Sequence, residues 1–168
     1  LGQRIDIANL ATIHFENQIN QQNPVYLQHH RVFDTVIMPF SGYVEMVLAA
    51  ASNLYKNQTK NQINKLLLTD VEIHQAWILE KSSTTVQLIL TPISTSKNKE
   101  YKFEIFSLKV VNQQSNNSQL QNQTWILKAS GKVSSTSSDL PKFDLSRKQT
   151  ECNQVIEVDN FYQSCKEQ

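Results

Sequence analysis

Between residues 41 and 55 the apolar side chains recur at helical spacing, whereas the apolar runs beyond residue 64 alternate. This change of period constrains the fold more than any other feature, because a helix stripe and a strand face must be buried against each other. Val44, Val47, Leu48, Ala51, Leu54 and Tyr55 fall on one helical stripe. Ser41 stands where a helix N-cap is expected, and Glu45 places negative charge near the first turn. Ala49, Ala50 and Ala51 combine high helix propensity with small side chains. Small residues let a sheet approach closely, so the helix is expected to be buried on most sides.

Ahead of it, residues 11–20 read as a strand with Ile13, Phe15 and Gln18 on one side. Gln21-Gln22-Asn23-Pro24 reads as a turn, and residues 25–32 as a second strand carrying His29 and His30. Residues 33–38 form a short apolar stretch closed by Pro39. After a polar connection at 57–64, strands are expected over residues 66–79, around Val86, Leu88 and Leu90, and around Tyr101, Phe103 and Ile105. Phe106, Leu108 and Val110 continue on the other parity, which predicts a bulge. The amide-rich stretch 111–124 reads as a mobile hairpin loop, and Trp125, Leu127 and Ala129 as the last strand, ending near Val133. One long central helix with an antiparallel sheet wrapped around it is an α+β arrangement, the hot-dog fold. The predicted domain spans residues 1–133. Residues 134–168 read as a Ser/Thr-rich linker followed by a short helix with Val155, Val158, Phe161, Tyr162 and Cys165 at helical spacing.

The net charge of +1 gives no footprint for nucleic acid or a charged membrane surface. No apolar run reaches the ~18 residues of a membrane span. Asn and Gln make up roughly a fifth of the chain, against 18% charged residues, so the surface is polar but largely uncharged. Two cysteines, Cys152 and Cys165, lie outside the apolar segments. A disulfide framework is not expected, and a cytoplasmic location is.

One constellation carries chemistry: His30-Arg31-Val32-Phe33-Asp34-Thr35-Val36-Ile37-Met38-Pro39, directly before the helix. Pro39 fixes the backbone where the helix turns in. Free N–H groups at a helix start can polarise a carbonyl, and an imidazole beside them suits removal of a proton α to that carbonyl. Adjacent strand residues face opposite ways, so His29 is expected at the surface or an interface rather than in a metal site with His30. His14 and His74 are expected to have ordinary structural partners, and Trp77 and Trp125 to serve the core or an interface.

The run from Pro24 to Phe33, with Val36-Ile37-Met38-Pro39 and Gly42-Tyr43-Val44-Glu45-Met46-Val47-Leu48-Ala49-Ala50, resembles the dehydratase domains of modular polyketide synthases. His30 and Pro39 match the ends of that family's HxxxGxxxxP motif, and Asp34 stands at its glycine position. The resemblance covers roughly residues 1–133 and implies the first of two hot-dog halves. It assigns His30 as the catalytic base, makes Asp34 and Pro39 site-shaping, and places Phe33 and Tyr43 as candidates for a substrate tunnel; Tyr43 could equally be packing.

By the same resemblance the substrate is a β-hydroxyacyl thioester on the phosphopantetheine of an acyl carrier protein. The protein itself binds no metal or other cofactor. In the family, an aspartic acid of the second half, beyond a linker resembling Val158-Asp159-Asn160-Phe161-Tyr162, protonates the departing hydroxyl. Asp70, Asp139, Asp144 and Asp159 do not match that position. The chain alone is therefore expected to be inactive, and active only when completed. The alternative is a pseudo-dehydratase kept as a structural or docking element of a synthase module. In either case an exposed sheet edge and apolar face predict a partner: a second half, a neighbouring synthase domain or a second copy.

Overall fold

A computed structural model describes residues 2–56, 65–93, 100–115, 118–136, 143–152 and 154–166. The chain divides into two compact units, Leu1–Ser137 and Ser138–Gln168.

The first unit contains β1 (Gln3–Ile5), β2 (Ile13–Ile19), β3 (Arg31–Val32), β4 (Thr35–Val36), α1 (Phe40–Lys56), β5 (Lys65–Ile73), β6 (Thr84–Pro92), β7 (Glu100–Ser115) and β8 (Ser118–Thr136). Six strands form an antiparallel sheet in the order β1-β2-β6-β7-β8-β5, and β3 and β4 make a separate hairpin. Its inner face presents Phe15 and Ile19 from β2, Val86, Leu88 and Leu90 from β6, Phe103 and Ile105 from β7, and Ala129 and Val133 from β8. Val47, Ala50, Ala51 and Leu54 of α1 complete this core. Burial of each large apolar side chain contributes about 1.5–3 kcal/mol. The alanines are fully buried, so the helix sits close to the sheet as their size predicts. Along residues 40–55 only Phe40, Ser41, Glu45 and Asn53 are exposed, so the helix is covered on most sides, as expected. The hot-dog arrangement expected from the change of period is the one observed.

Several local expectations need correction. α1 starts at Phe40, so Ser41 lies inside the first turn and is not its N-cap, and the first turn holds no acidic residue. The Gly42 N–H instead donates to the Pro39 carbonyl at 2.9 Å. Residues 25–29 form a 3₁₀ turn rather than a strand, with Leu27 N–H donating to Pro24 O and His30 N–H to Leu27 O. Only Leu27 is buried there; Val25 and Tyr26 are exposed, so there was no alternating face to bury. In β2, Gln18 is exposed and the inner side is completed by Ile19.

The predicted bulge exists, but on β8. Ile105 pairs with Ala129 and Phe106 with Leu127, leaving Lys128 as the extra residue. On β7 the buried parity runs on through Ser107, and Phe106 and Leu108, on the other parity, are half-buried. Residues 111–115 and 118–124 are paired strand, not loop. Backbone ladder bonds form whatever the side chains are, which is why amide-rich sequence concealed them. Residues 116–117 of that stretch and the connection at 57–64 lie outside the described residues. β8 continues to Thr136, paired with Lys65, so residues 134–136 belong to the sheet and not to a linker.

The second unit contains α2 (Leu145–Glu151) and α3 (Val158–Lys166). Asp144 caps α2 by accepting from the Arg147 N–H at 3.1 Å. α3 matches the expected helix, although Val155 precedes it.

Candidate active site

The conspicuous histidine stands directly before the β3–β4 hairpin. The hairpin's two turn residues, Phe33 and Asp34, have φ of 45° and 65°. Two consecutive left-handed residues make the tightest kind of hairpin turn, and Asp is among the few side chains that tolerate that region. Arg31 braces the turn from within: Nε donates to Gln28 O at 3.0 Å and Nη1 to Asp34 O at 2.7 Å.

His30 precedes the hairpin and is tied to its far side. Ile37 N–H donates to His30 O at 3.1 Å, and the ring Nδ1 lies 2.8 Å from Ile37 O. A carbonyl only accepts, so Nδ1 carries the hydrogen, and in the neutral ring Nε2 has the free lone pair. Segment 36–38 is held in turn by residues 77–79: Met38 N–H donates to Trp77 O and Leu79 N–H to Val36 O, each at 2.9 Å. Pro39 and α1 follow immediately. The imidazole is thus tied to Ile37, three residues ahead of the helix; it is exposed, with no hydrogen bond or ion pair to a carboxylate among the described residues.

Of the other predicted site residues, Pro39 sits at the helix entry as expected. Tyr43 is 2% exposed and packs against Trp77 with ring centroids 6.4 Å apart. Burial pushes its phenol up to about 12. Phe33 is 99% exposed at the hairpin tip, where its φ is 45°. His29 is exposed, as expected. His14 Nε2 meets Thr12 Oγ1 at 2.8 Å and His74 Nε2 meets Ser130 Oγ at 2.9 Å, both structural partners. Sequence reasoning missed Ile37 and Arg31. Ile37 acts through its carbonyl, which leaves no side-chain signal, and Arg31 through bonds to backbone.

The family model for the polyketide synthase dehydratase domain matches residues 1–108. The chain belongs to that dehydratase family. A highly reducing polyketide synthase of Pyrenophora dematioidea is 31% identical over 104 residues, covering 61% of this chain and 4% of that protein. The compactin nonaketide synthase of Penicillium citrinum is 28% identical over 98 residues, 58% of this chain and 3% of that protein. Among solved structures, the dehydratase domain from the CurF module of the curacin polyketide synthase superposes with a TM-score of 0.73 at 32% identity, covering 97% of this chain and 54% of that one. Two inactive mutants of the CurK dehydratase, one with an aspartate changed to asparagine and one with a histidine changed to phenylalanine, also superpose at 0.73, with 30% and 29% identity and 99% of this chain covered. This dehydratase chain spans about half the length of those solved domains and a few per cent of the curated synthases. No helix among its described residues is long and apolar enough to cross a membrane.

Proposed function

We propose that this chain is the histidine-bearing half of a dehydratase that eliminates water from a β-hydroxyacyl thioester, with His30 as the base. The observation that carries the reading is the 2.8 Å contact from His30 Nδ1 to Ile37 O, which leaves Nε2 as a lone-pair acceptor in the exposed ring. Nε2 takes the proton from the α carbon, the electron pair forms the α,β double bond, and the β C–O bond breaks. The hydroxyl leaves as water after receiving a proton from an acid outside this chain. Loss of activity in CurK dehydratase on changing a histidine or an aspartate supports a two-residue scheme of this kind. A carboxylic acid buried at such a site is raised toward neutrality and can hold that proton.

The thioester is carried on the phosphopantetheine of an acyl carrier protein, and the acid comes from a second hot-dog half. Val32, Phe33, Phe40 and Ile78 are exposed on the segments around His30, which supports a covering partner there. That partner is the second half, a neighbouring synthase domain or a second copy. Asp34 in place of the motif glycine supports the alternative reading of an inactive docking element.

The test loads a β-hydroxyacyl chain on the carrier protein of the complete synthase and follows loss of water by mass spectrometry. Activity that disappears in His30→Ala supports the assignment. Undiminished activity in that variant overturns it, and a correctly loaded but inert wild type establishes the docking reading.

A further inference from the structure

Residues 29–34 are all exposed, so no buried side chain anchors the segment that carries His30. The other side of the hairpin is different. Val36 and Met38 are buried, and their backbone groups bond to Leu79 and Trp77. The Ile37 carbonyl that accepts from the imidazole is therefore fixed to the core, while the ring reaches it from a segment that has no such anchor. The ladder joining the two sides is short, with two residue pairs, Arg31 with Val36 and Val32 with Thr35. So short a ladder has little stability of its own.

Arg31 supplies what the ladder lacks. Its guanidinium donates in two directions, three residues back to Gln28 O at 3.0 Å and three residues forward to Asp34 O at 2.7 Å. His30 lies within the stretch of chain that these two bonds close. Gln28 belongs to the 3₁₀ turn whose Leu27 is fully buried, so the fork ties the hairpin tip to a turn already pinned to the core. It also holds the peptide at position 34, where the family motif has glycine and this chain has aspartate at φ 65°. Arginine suits the task because its planar fork presents donors in fixed relative directions, whereas a lysine ammonium is a point charge on a flexible stem. The bonds lie at the surface, so water can replace them at little cost in stability, but water fixes no direction.

We propose that Arg31 is a positioning residue for His30: its forked bonds to the Gln28 and Asp34 carbonyls keep the imidazole in register with the Ile37 carbonyl and so keep Nε2 free and aimed. The catalytic consequence rests on His30 being the base of the dehydration proposed above; the geometric one does not. Two measurements separate them. On the full chain alone, nitrogen NMR at about pH 8.5, roughly two units above the ordinary histidine value, reads which ring nitrogen of His30 carries the hydrogen. The native chain should show Nδ1–H. Arg31→Ala and Arg31→Lys should both show a mixture of the two tautomers, with the melting temperature lowered by no more than about 5 °C. In the complete synthase, supplied with a β-hydroxyacyl pantetheine thioester, both variants should lower kcat about tenfold or more and leave KM within about twofold. Arg31→Lys keeps the charge and much of the length, and it decides the matter if Arg31→Ala does not fold. A native tautomer and native kcat in Arg31→Lys overturn the proposal, because the fork is then not needed. A raised KM with unchanged kcat also overturns it, by assigning Arg31 to substrate binding. If turnover survives His30→Ala, the dehydration reading fails, and the tautomer measurement alone decides for or against Arg31.

Discussion

His30 Nδ1 and the Ile37 carbonyl oxygen are 2.8 Å apart, and the two residues also share a backbone bond from Ile37 N–H to His30 O at 3.1 Å. The ring is thereby fixed in tautomer and direction by backbone bonds, and Nε2 makes no hydrogen bond among the described residues. His30→Ala should lower the dehydration rate of the completed enzyme by about 10²–10⁴-fold, the usual worth of a general base. The fold should lose only about 1 kcal/mol, because one hydrogen bond at an exposed site is removed. Turnover by mass spectrometry together with thermal unfolding separates the two effects.

Asp34 occupies a left-handed position, φ 65°, at which the family motif has glycine. Asp34→Gly should therefore fold and work about as well as the native chain. Asp34→Val should cost about 1–2 kcal/mol, since a β-branched side chain is strained there. It should also loosen the Arg31 Nη1 bond to the Asp34 carbonyl, now 2.7 Å, and shift the hairpin that carries His30. Denaturant midpoints of the two variants check the order. Equal midpoints would show that the hairpin tolerates any residue at 34.

Elements that bury a regular stripe were legible in the sequence. Val47, Ala51 and Leu54 announced α1, and Val86, Leu88 and Leu90 announced β6, because their periods are imposed by packing. The 3₁₀ turn at Val25–His29 and α2 were not, because they bury one large apolar residue between them, Leu27. The outer reaches of β7 and β8 escaped for a related reason: a backbone ladder among Asn and Gln carries no hydrophobic signature. At the site, His30, Asp34 and Pro39 could be picked out because the family motif is written in side chains. The geometry that orients them is written in carbonyls, those of Ile37, Asp34 and Trp77. Lys128 stood out as a lone charge within Trp125-Ile126-Leu127-Lys128-Ala129, but its burial, at the β8 bulge, left no sequence signal.

Two buried phenols should set the alkaline limit of stability. Burial raises Tyr43 to about 12, and burial together with Tyr101 raises Tyr55 to about 12. Both pKa values rise on folding, so the native state resists losing these protons. The stabilisation is whole below the unfolded value near 10 and is lost as pH climbs toward 12, at most about 3 kcal/mol per tyrosine. Unfolding monitored against pH, with phenolate absorbance recorded in parallel, should show the two events together between those limits. Tyr43→Phe should push the transition upward. A transition complete below pH 10 would assign alkaline unfolding to other groups.

Gly131 and Phe103 are cross-strand partners whose sizes fit only each other. A Cβ on Gly131 would lie 2.7 Å from both Cε1 and Cζ of the Phe103 ring and 3.1 Å from the Asp70 carbonyl oxygen. Neither neighbour can yield easily. Phe103 is 1% exposed, wedged in the core, and Asp70 is fixed in the β5 irregularity with φ 53° and an ion pair to Lys132 at 2.7 Å. Gly131→Ala should therefore destabilise by about 1–3 kcal/mol, the range for overpacking a filled core. Phe103→Leu alone should also destabilise, by removing ring contacts. The double variant should cost less than the two added together, because the smaller side chain vacates the space that the new methyl needs. Strict additivity in that cycle would place the strain at the Asp70 carbonyl instead, since Phe103→Leu leaves that contact untouched.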